Sequence, residues 1–289
     1  MPRRSTVNPR IALVGAGNLA ASLAVALHGG RFVIDTIISR AGGASLQRAR
    51  RLANEVAASA APASRVRIDS DVVWFCVPDS AIATAARSLT TAADWKGKVA
   101  LHSSGALASD ELGALRKLGA AVASVHPLMT FVRASRPRLS GVSFTIEGDA
   151  TAVQVARAIV AGLGGRSYSI RKSEKAAYHA WGTFASPLLS ALLAATERIA
   201  GVAGIHRKAA RTRMLPILRQ TLANYERLGA AQSFSGPIAR GDLATVQRHL
   251  DTLKAVPEAR EVYVSLAQSA LRDLPAKNRA ALREILRRK

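Results

Sequence analysis

Cysteine, aromatic side chains and acidic residues are all scarce in this chain of 289 residues. A single cysteine, Cys76, excludes an intrachain disulfide and with it the disulfide-stapled secreted domains. It lies in the apolar run Val72–Val77, where a small core residue is the expected role, and a reducing, cytoplasmic setting fits. Aromatics make up only 4% of the chain, which argues against base-stacking platforms for nucleic acid. Nineteen acidic residues face 41 lysines and arginines, for a net charge of +22. That excess divides as +10 and +12 between residues 1–170 and 171–289, with no dense basic tract. Dispersed, solvated charge is therefore expected, not a nucleic-acid footprint, and the resulting positive field favours anionic ligands. No zinc-finger spacing occurs, and no metal is expected.

Long apolar runs are also missing where a membrane would need them. Arg3-Arg4 followed by Ile11–Leu27 has the outline of a twin-arginine leader, but Gly15, Gly17 and Asn18 interrupt its apolar part. Residues 176–196 lack Asp, Glu, Lys and Arg, yet contain His179, Trp181, Gly182, Ser186 and Pro187 and are richer in alanine than in leucine. A helix buried in a domain core or a dimer interface is the better reading, with no membrane partner.

The informative residues begin at Ile11. Four strand-forming apolar residues, Ile11–Val14, run into Gly15-x-Gly17-x-x-Ala20, and Leu19, Leu23 and Leu27 then recur at helical spacing. In this strand–turn–helix context a glycine fingerprint signifies dinucleotide binding. Gly15 permits the tight turn, Gly17 lets backbone approach a pyrophosphate, and Ala20 lets helix and strand pack closely. Asn18 and Leu19 would present amides to the phosphates. The next strand, Phe32–Ile38, ends in Ser39-Arg40. A hydroxyl and a guanidinium suit a ribose 2′-phosphate, so NADP(H) is expected over NAD(H); Asp35 falls mid-strand, out of reach of the ribose.

Strand candidates Ile11–Val14, Phe32–Ile38, Val72–Val77, Val99–His102, Ala121–Val125, Val142–Ile146 and Ser167–Ile170 alternate with helical stretches. This rhythm predicts an α/β fold, a Rossmann-like doubly wound parallel sheet over residues 1–170. Beyond Arg171 only helical patterns remain: 173–199, 207–228, 242–253, 258–271 and 276–286. An all-α domain over 171–289 follows, with Asp242 as the N-cap of its helix.

In such a sheet ligands sit beyond the C-terminal strand ends. Those ends carry Val77-Pro78-Asp79-Ser80, His102-Ser103-Ser104-Gly105 and His126-Pro127-Leu128-Met129-Thr130-Phe131. Val77, Pro78, Asp79 and Ser103 are candidates for the cofactor; Ser103, Ser104 and His126 are candidates for substrate positioning or catalysis. Lys175 and His179, four apart, share a helix face, where ammonium and imidazole could depress each other's pKa and serve as proton donors. Arg240, in Ser235-Gly236-Pro237-Ile238-Ala239-Arg240-Gly241-Asp242, could hold an anionic group beside Asp242. His249 is expected to be structural.

Together these motifs resemble a bacterial two-domain family with an N-terminal Rossmann-like domain and a C-terminal helical domain of unknown function. The resemblance covers about residues 8 to 260. The family is similar to pyrroline-5-carboxylate reductases, ketopantoate reductases and the β-hydroxyacid/6-phosphogluconate dehydrogenases. It implies an NADP(H) cofactor, a helical domain of the 6-phosphogluconate dehydrogenase C-terminal type and a homodimer built through it. In those dehydrogenases a lysine and an asparagine four residues on form the catalytic pair. Lys175 matches the lysine, and His179 stands in place of the asparagine. Ala185-Ser186-Pro187 stands where Ala-Ser-Asn is expected, which removes a polar side chain and predicts a kink. The expected function is hydride transfer between nicotinamide and a small, anionic C=O or C=N substrate in an interdomain cleft. The alternative is a dinucleotide-binding regulatory protein that catalyses nothing.

Overall fold

A computed structural model describes residues 9–30, 32–40, 42–133 and 135–287. Arg3-Arg4 lies outside them. The chain forms two compact units, Met1–Thr183 and Phe184–Lys289.

The first unit is built on eight strands: β1 (Ile11–Val14), β2 (Ile34–Ser39), β3 (Ser59–Pro62), β4 (Val72–Phe75), β5 (Val99–His102), β6 (Ala121–Pro127), β7 (Ser143–Gly148) and β8 (Arg166–Ser169). They form one sheet in the order β3-β2-β1-β4-β5-β6-β7-β8, parallel except where β7 runs antiparallel to β6. The chain reverses its direction of progress between β1 and β4, which opens the crevice where such sheets hold ligands. β1 and β4 are buried along their whole length, as expected of strands covered on both faces. Helices α1 (Asn18–Gly29), α2 (Ala44–Glu55) and the later α5 (Ala150–Gly162) contribute Leu23, Leu27, Leu52, Ile159 and Val160 to the core on one face. On the other, α3 (Ile82–Ser88) and α4 (Gly113–Arg116) cover Val73, Phe75 and Ala100, with Trp95 fully buried.

The strand β3 has no counterpart among the sequence-predicted elements. Its residues, Ser-Ala-Ala-Pro, lack β-branched or aromatic side chains and sit half-exposed at the sheet edge, pairing with β2 alone. Asp35 stands near the start of β2, where its carboxylate meets Arg10 Nε at 2.9 Å and Ser70 Oγ at 2.7 Å. It is a structural anchor at the end of the strand opposite the ligand crevice. Cys76 is buried, and burial pushes its thiol up to about 12, the behaviour of a core residue.

The first unit also takes in α6 (Lys175–Thr183), which follows the sheet and is pinned to it by Lys175. Next comes a π-helical turn, Phe184–Leu188, containing Pro187. Proline has no N–H for an α-helical bond, so the irregularity falls where the sequence predicts a kink.

The second unit contains α7 (Leu189–Val202), α8 (Arg207–Ser233), α9 (Pro237–Arg240), α10 (Leu243–Thr252), α11 (Pro257–Asp273) and α12 (Arg279–Arg287). Helices α10 to α12 bury Val246, Leu250, Ala267, Leu271, Leu282 and Leu286 in a common core. Asp242 caps α10, its Oδ1 accepting from the Thr245 amide at 3.0 Å. Gly241 stands in the left-handed region, φ +69°, and a Cβ there would lie 2.7 Å from the Lys277 carbonyl oxygen. His249 meets the Tyr263 hydroxyl at 3.1 Å, a structural pairing. Among the described residues no single helix is long and apolar enough to cross a membrane.

Candidate functional site

The turn after β1 has the geometry that a dinucleotide requires. Gly15 has φ +111°, and a Cβ there would meet the Cys76 carbonyl oxygen at 2.6 Å, so only glycine lets this turn pack on the end of β4. At Gly17 a Cβ would meet nothing within 4 Å. The backbone is therefore open at the start of α1. Gly17 is the N-cap of α1 and supplies no side-chain cap, and no acidic residue occupies the first turn. The leading amides of the helix thus lack a side-chain acceptor, and the helix end favours an anion. Asn18 turns its side-chain amide to the Phe131 carbonyl, 3.2 Å away, which fastens the loop after β6 to the glycine turn. Leu19 is half-buried and Ala20 fully buried, as close packing of α1 on β1 requires.

Arginines gather beside this turn. A groove of about 360 Å³ is lined by Gly17, Asn18, Arg48, Arg51, Arg133 and Arg136, among others. Of its arginines, Arg136 pairs with Glu55 at 2.5 Å. At the end of β2, Arg40 is exposed, whereas Ser39 is buried at 1% exposure. Of the two residues expected to meet a 2′-phosphate, the guanidinium is the accessible one.

The polar groups predicted at the strand ends converge, but several are consumed by the fold. His102 is buried, its Nδ1 accepting from the Ser104 amide at 3.1 Å and its Nε2 placed 3.0 Å from the Ala108 carbonyl. Burial lowers its pKa to about 4, so it stays neutral and shapes the loop. Ser104 Oγ donates to Asp79 Oδ2 at 2.7 Å and accepts from the amides of Ala106 and Leu107. One donor and two acceptors exhaust a hydroxyl. Ser104 therefore shapes the turn and holds Asp79, which follows Val77 and Pro78 at the end of β4. Ser103 accepts from Trp74 Nε1 at 2.8 Å and keeps its own proton to donate.

Lys175 is almost wholly enclosed, at 1% exposure. Its Nζ donates to Ser124 Oγ at 2.7 Å and to the Ser104 carbonyl at 3.1 Å. Burial lowers its pKa, while the charges of Glu147 and Asp79 oppose that shift. The expected side-by-side ammonium and imidazole do not arise from their shared helix face. Lys175 is sealed beneath the Ser104 turn, whereas His179 is exposed and rests on Gly105.

Gly105 is the meeting point. A Cβ there would lie 2.7 Å from His179 Cδ2 and 2.9 Å from His126 Nε2. His126 Nδ1 lies 2.9 Å from the Tyr178 hydroxyl, and the two rings meet edge-on with centroids 5.5 Å apart. Burial, with the charges of Lys175 and His179, lowers the His126 pKa to about 4. Burial raises that of Tyr178, opposed by a hydrogen bond from Thr145. Sequence reasoning gave Tyr178 no role. Its spacing of three from Lys175 put it on the same helix face, but nothing in the sequence pairs it with a strand end fifty residues away. In the second unit Arg240 is exposed, and Gly241 and Asp242 are explained by the backbone turn they make.

Comparison with known proteins agrees with this architecture. Residues 3–127 match the Rossmann-like domain family, and residues 142–270 match a domain of unknown function, DUF2520. The chain is a Rossmann-like domain followed by a DUF2520 domain. A crystal structure from Bacteroides fragilis, described as a putative NADP oxidoreductase, superposes with a TM-score of 0.77 at 22% identity, over 92% of this chain and 98% of that one. An imine reductase from Pseudomonas sp. gives 0.65 at 18% identity, over 96% and 99%. A reductive aminase from Aspergillus terreus, in complex with NADPH and ethyl-5-oxohexanoate, gives 0.66 at 15%, also over 96% and 99%. No curated protein matches in sequence. The DUF2520 match begins at the start of β7, so it spans the last strands of the sheet as well as the helices.

Proposed function

We propose that this Rossmann-like/DUF2520 protein is an NADP(H)-dependent oxidoreductase that moves a hydride between nicotinamide and a small anionic C=O or C=N compound. The observation that carries this reading is the pair of glycines before α1: Gly15 has no room for a side chain, and Gly17 has open space above an uncapped helix N-terminus. That pairing serves close approach of a pyrophosphate to the Asn18 and Leu19 amides. The similar fold of a protein solved with NADPH supports it. Arg40, exposed at the end of β2, would take the 2′-phosphate. Ser103, Asp79 and His126, at successive strand ends, would border the nicotinamide and the substrate. The positive field supports an anionic substrate, with Arg240 as a candidate anchor.

Fluorescence titration tests the cofactor assignment. NADPH is expected to bind at least about tenfold more tightly than NADH, and Arg40→Ala to remove most of that preference, since a charge-assisted contact contributes about 1.5–3 kcal/mol. Equal affinity for both dinucleotides in the wild type would contradict the 2′-phosphate assignment.

The protein is also read as a homodimer through its helical domain. Along α8 only Ala210 is buried, while Leu215, Ile217, Leu222, Tyr225 and Leu228 are exposed. These exposed apolar side chains fit an interface with a second copy. Light scattering should give about twice the chain mass of 30.4 kDa; a monomer at micromolar concentration would contradict it.

A further inference from the structure

The reductase reading leaves open which group supplies the proton, and the two expected donors are poorly placed or unsupported. Lys175 is enclosed at 1% exposure, with Ser124 and the Ser104 carbonyl as its partners. His179 is exposed, and no hydrogen bond to its imidazole is seen among the described residues. Tyr178 differs from both. It is half-buried, its hydroxyl lies 2.9 Å from His126 Nδ1, and Thr145 on β7 is its other polar neighbour. His126 in turn is held against Gly105, at the strand end that also carries Ser103.

Resting on the reductase reading, we propose that Tyr178 is the catalytic acid, its phenol oxygen supported by the His126 imidazole. The reduced dinucleotide, when bound, supplies the hydride to the C=O or C=N carbon. The π electrons of that bond move to oxygen or nitrogen, which takes the proton of Tyr178 as the phenol O–H breaks. With its proton on Nδ1, His126 donates to the phenol oxygen. This leaves the phenol O–H free for the substrate and stabilises the phenolate until solvent returns a proton. Lys175 acts as a positioning residue, holding the Ser104 turn on which these groups rest.

The groups facing Tyr178 are His126 from β6, Thr145 from β7 and Trp181 from its own helix. His126 titrates near 4 and is neutral over the working range, and burial keeps the phenol protonated above the usual tyrosine value. Turnover is therefore expected to be flat from pH 6 to 9. A proton donor with an ordinary imidazole pKa would instead make it fall as pH rises through the histidine range.

The test uses the full chain with NADPH and two anionic probes, 1-pyrroline-2-carboxylate and pyruvate. Tyr178→Phe is expected to lower kcat about 100-fold or more for the probe that reacts, with NADPH affinity unchanged within about twofold. Wild-type turnover retained in Tyr178→Phe, or a wild-type rate that declines above pH 7, would overturn the proposal and leave the reductase reading standing. NADPH that binds but is oxidised with neither probe would overturn the reductase reading for these substrate classes, and the proposal with it. A second readout needs no turnover. Nitrogen-15 spectra of the free protein at pH 7 should show the His126 proton on Nδ1, and should show it still there in Tyr178→Phe. A proton on Nε2 would make the phenol donate to the imidazole, contradicting the proposal.

Discussion

Gly15→Ala should destabilise the protein by about 3 kcal/mol or more and abolish dinucleotide binding. Two costs coincide at this position. An alanine forced to φ +111° carries about 1–3 kcal/mol of backbone strain. Its Cβ would also lie 2.6 Å from the Cys76 carbonyl oxygen, a backbone atom that can move only with β4. Because β4 is buried along its length and pairs with both β1 and β5, the strain spreads into the sheet centre. Thermal unfolding would show a fall of roughly 6–12 °C at about 2–4 °C per kcal/mol for a chain of this size. Gly17→Ala is the control: its Cβ meets nothing, so stability should change by less than about 1 kcal/mol while NADPH affinity still drops. Equal stability of the Gly15→Ala variant and the wild type would refute this account of the turn.

A second large effect is expected from acid. His102 is held neutral by burial, which lowers its pKa to about 4 against about 6.5 in an unfolded chain. The bond from the Ser104 amide points the same way, because Nδ1 accepts it and cannot do so once protonated, while the bond to the Ala108 carbonyl opposes the shift without reversing it. The unfolded state therefore binds more protons between pH 6.5 and 4, and stability falls as pH falls through that window. At 1.36 kcal/mol per pKa unit, His102 alone accounts for about 3 kcal/mol. His126, lowered for a similar reason but partly exposed, adds to the loss. Urea unfolding at pH 7 and pH 4.5 measures it. His102→Gln should lower stability at pH 7 yet lose about 2.4 kcal/mol less than the wild type between the two pH values, since pH 4.5 stops short of the folded pKa. An identical loss in both would place the acid sensitivity elsewhere.

The fold was legible where local pattern and burial agree. β1 and β5 fall on their predicted residues because each is a short apolar run with no competing signal. The helical breaks at Gly204, Gly229 and Gly236 were readable because each has positive φ that glycine adopts freely. The edge strand β3 was not readable, since alanine and serine at a sheet edge carry no strand preference. The candidate site was legible in composition but not in assignment. Ser103 and Ser104 are indistinguishable in sequence. Only the positions of Trp74, Asp79 and the Ala106 and Leu107 amides show that one hydroxyl is exhausted and the other still has a proton to give. Lys175 matched a catalytic lysine in spacing. Its actual partners, Ser124 and the Ser104 carbonyl, lie more than fifty residues earlier in the chain, brought together by the sheet order alone. The Tyr178–His126 contact is of the same kind, fifty-two residues apart and set by tertiary packing.

The central claim is that the open backbone at Gly17 receives a pyrophosphate. A crystal structure with NADPH tests it most directly. The two phosphates are expected within hydrogen-bonding distance of the Asn18 and Leu19 amides, with the 2′-phosphate on Arg40 and the nicotinamide ring toward Ser103 and His126. NADPH bound elsewhere, or a glycine turn that remains empty at saturating NADPH, would contradict the account.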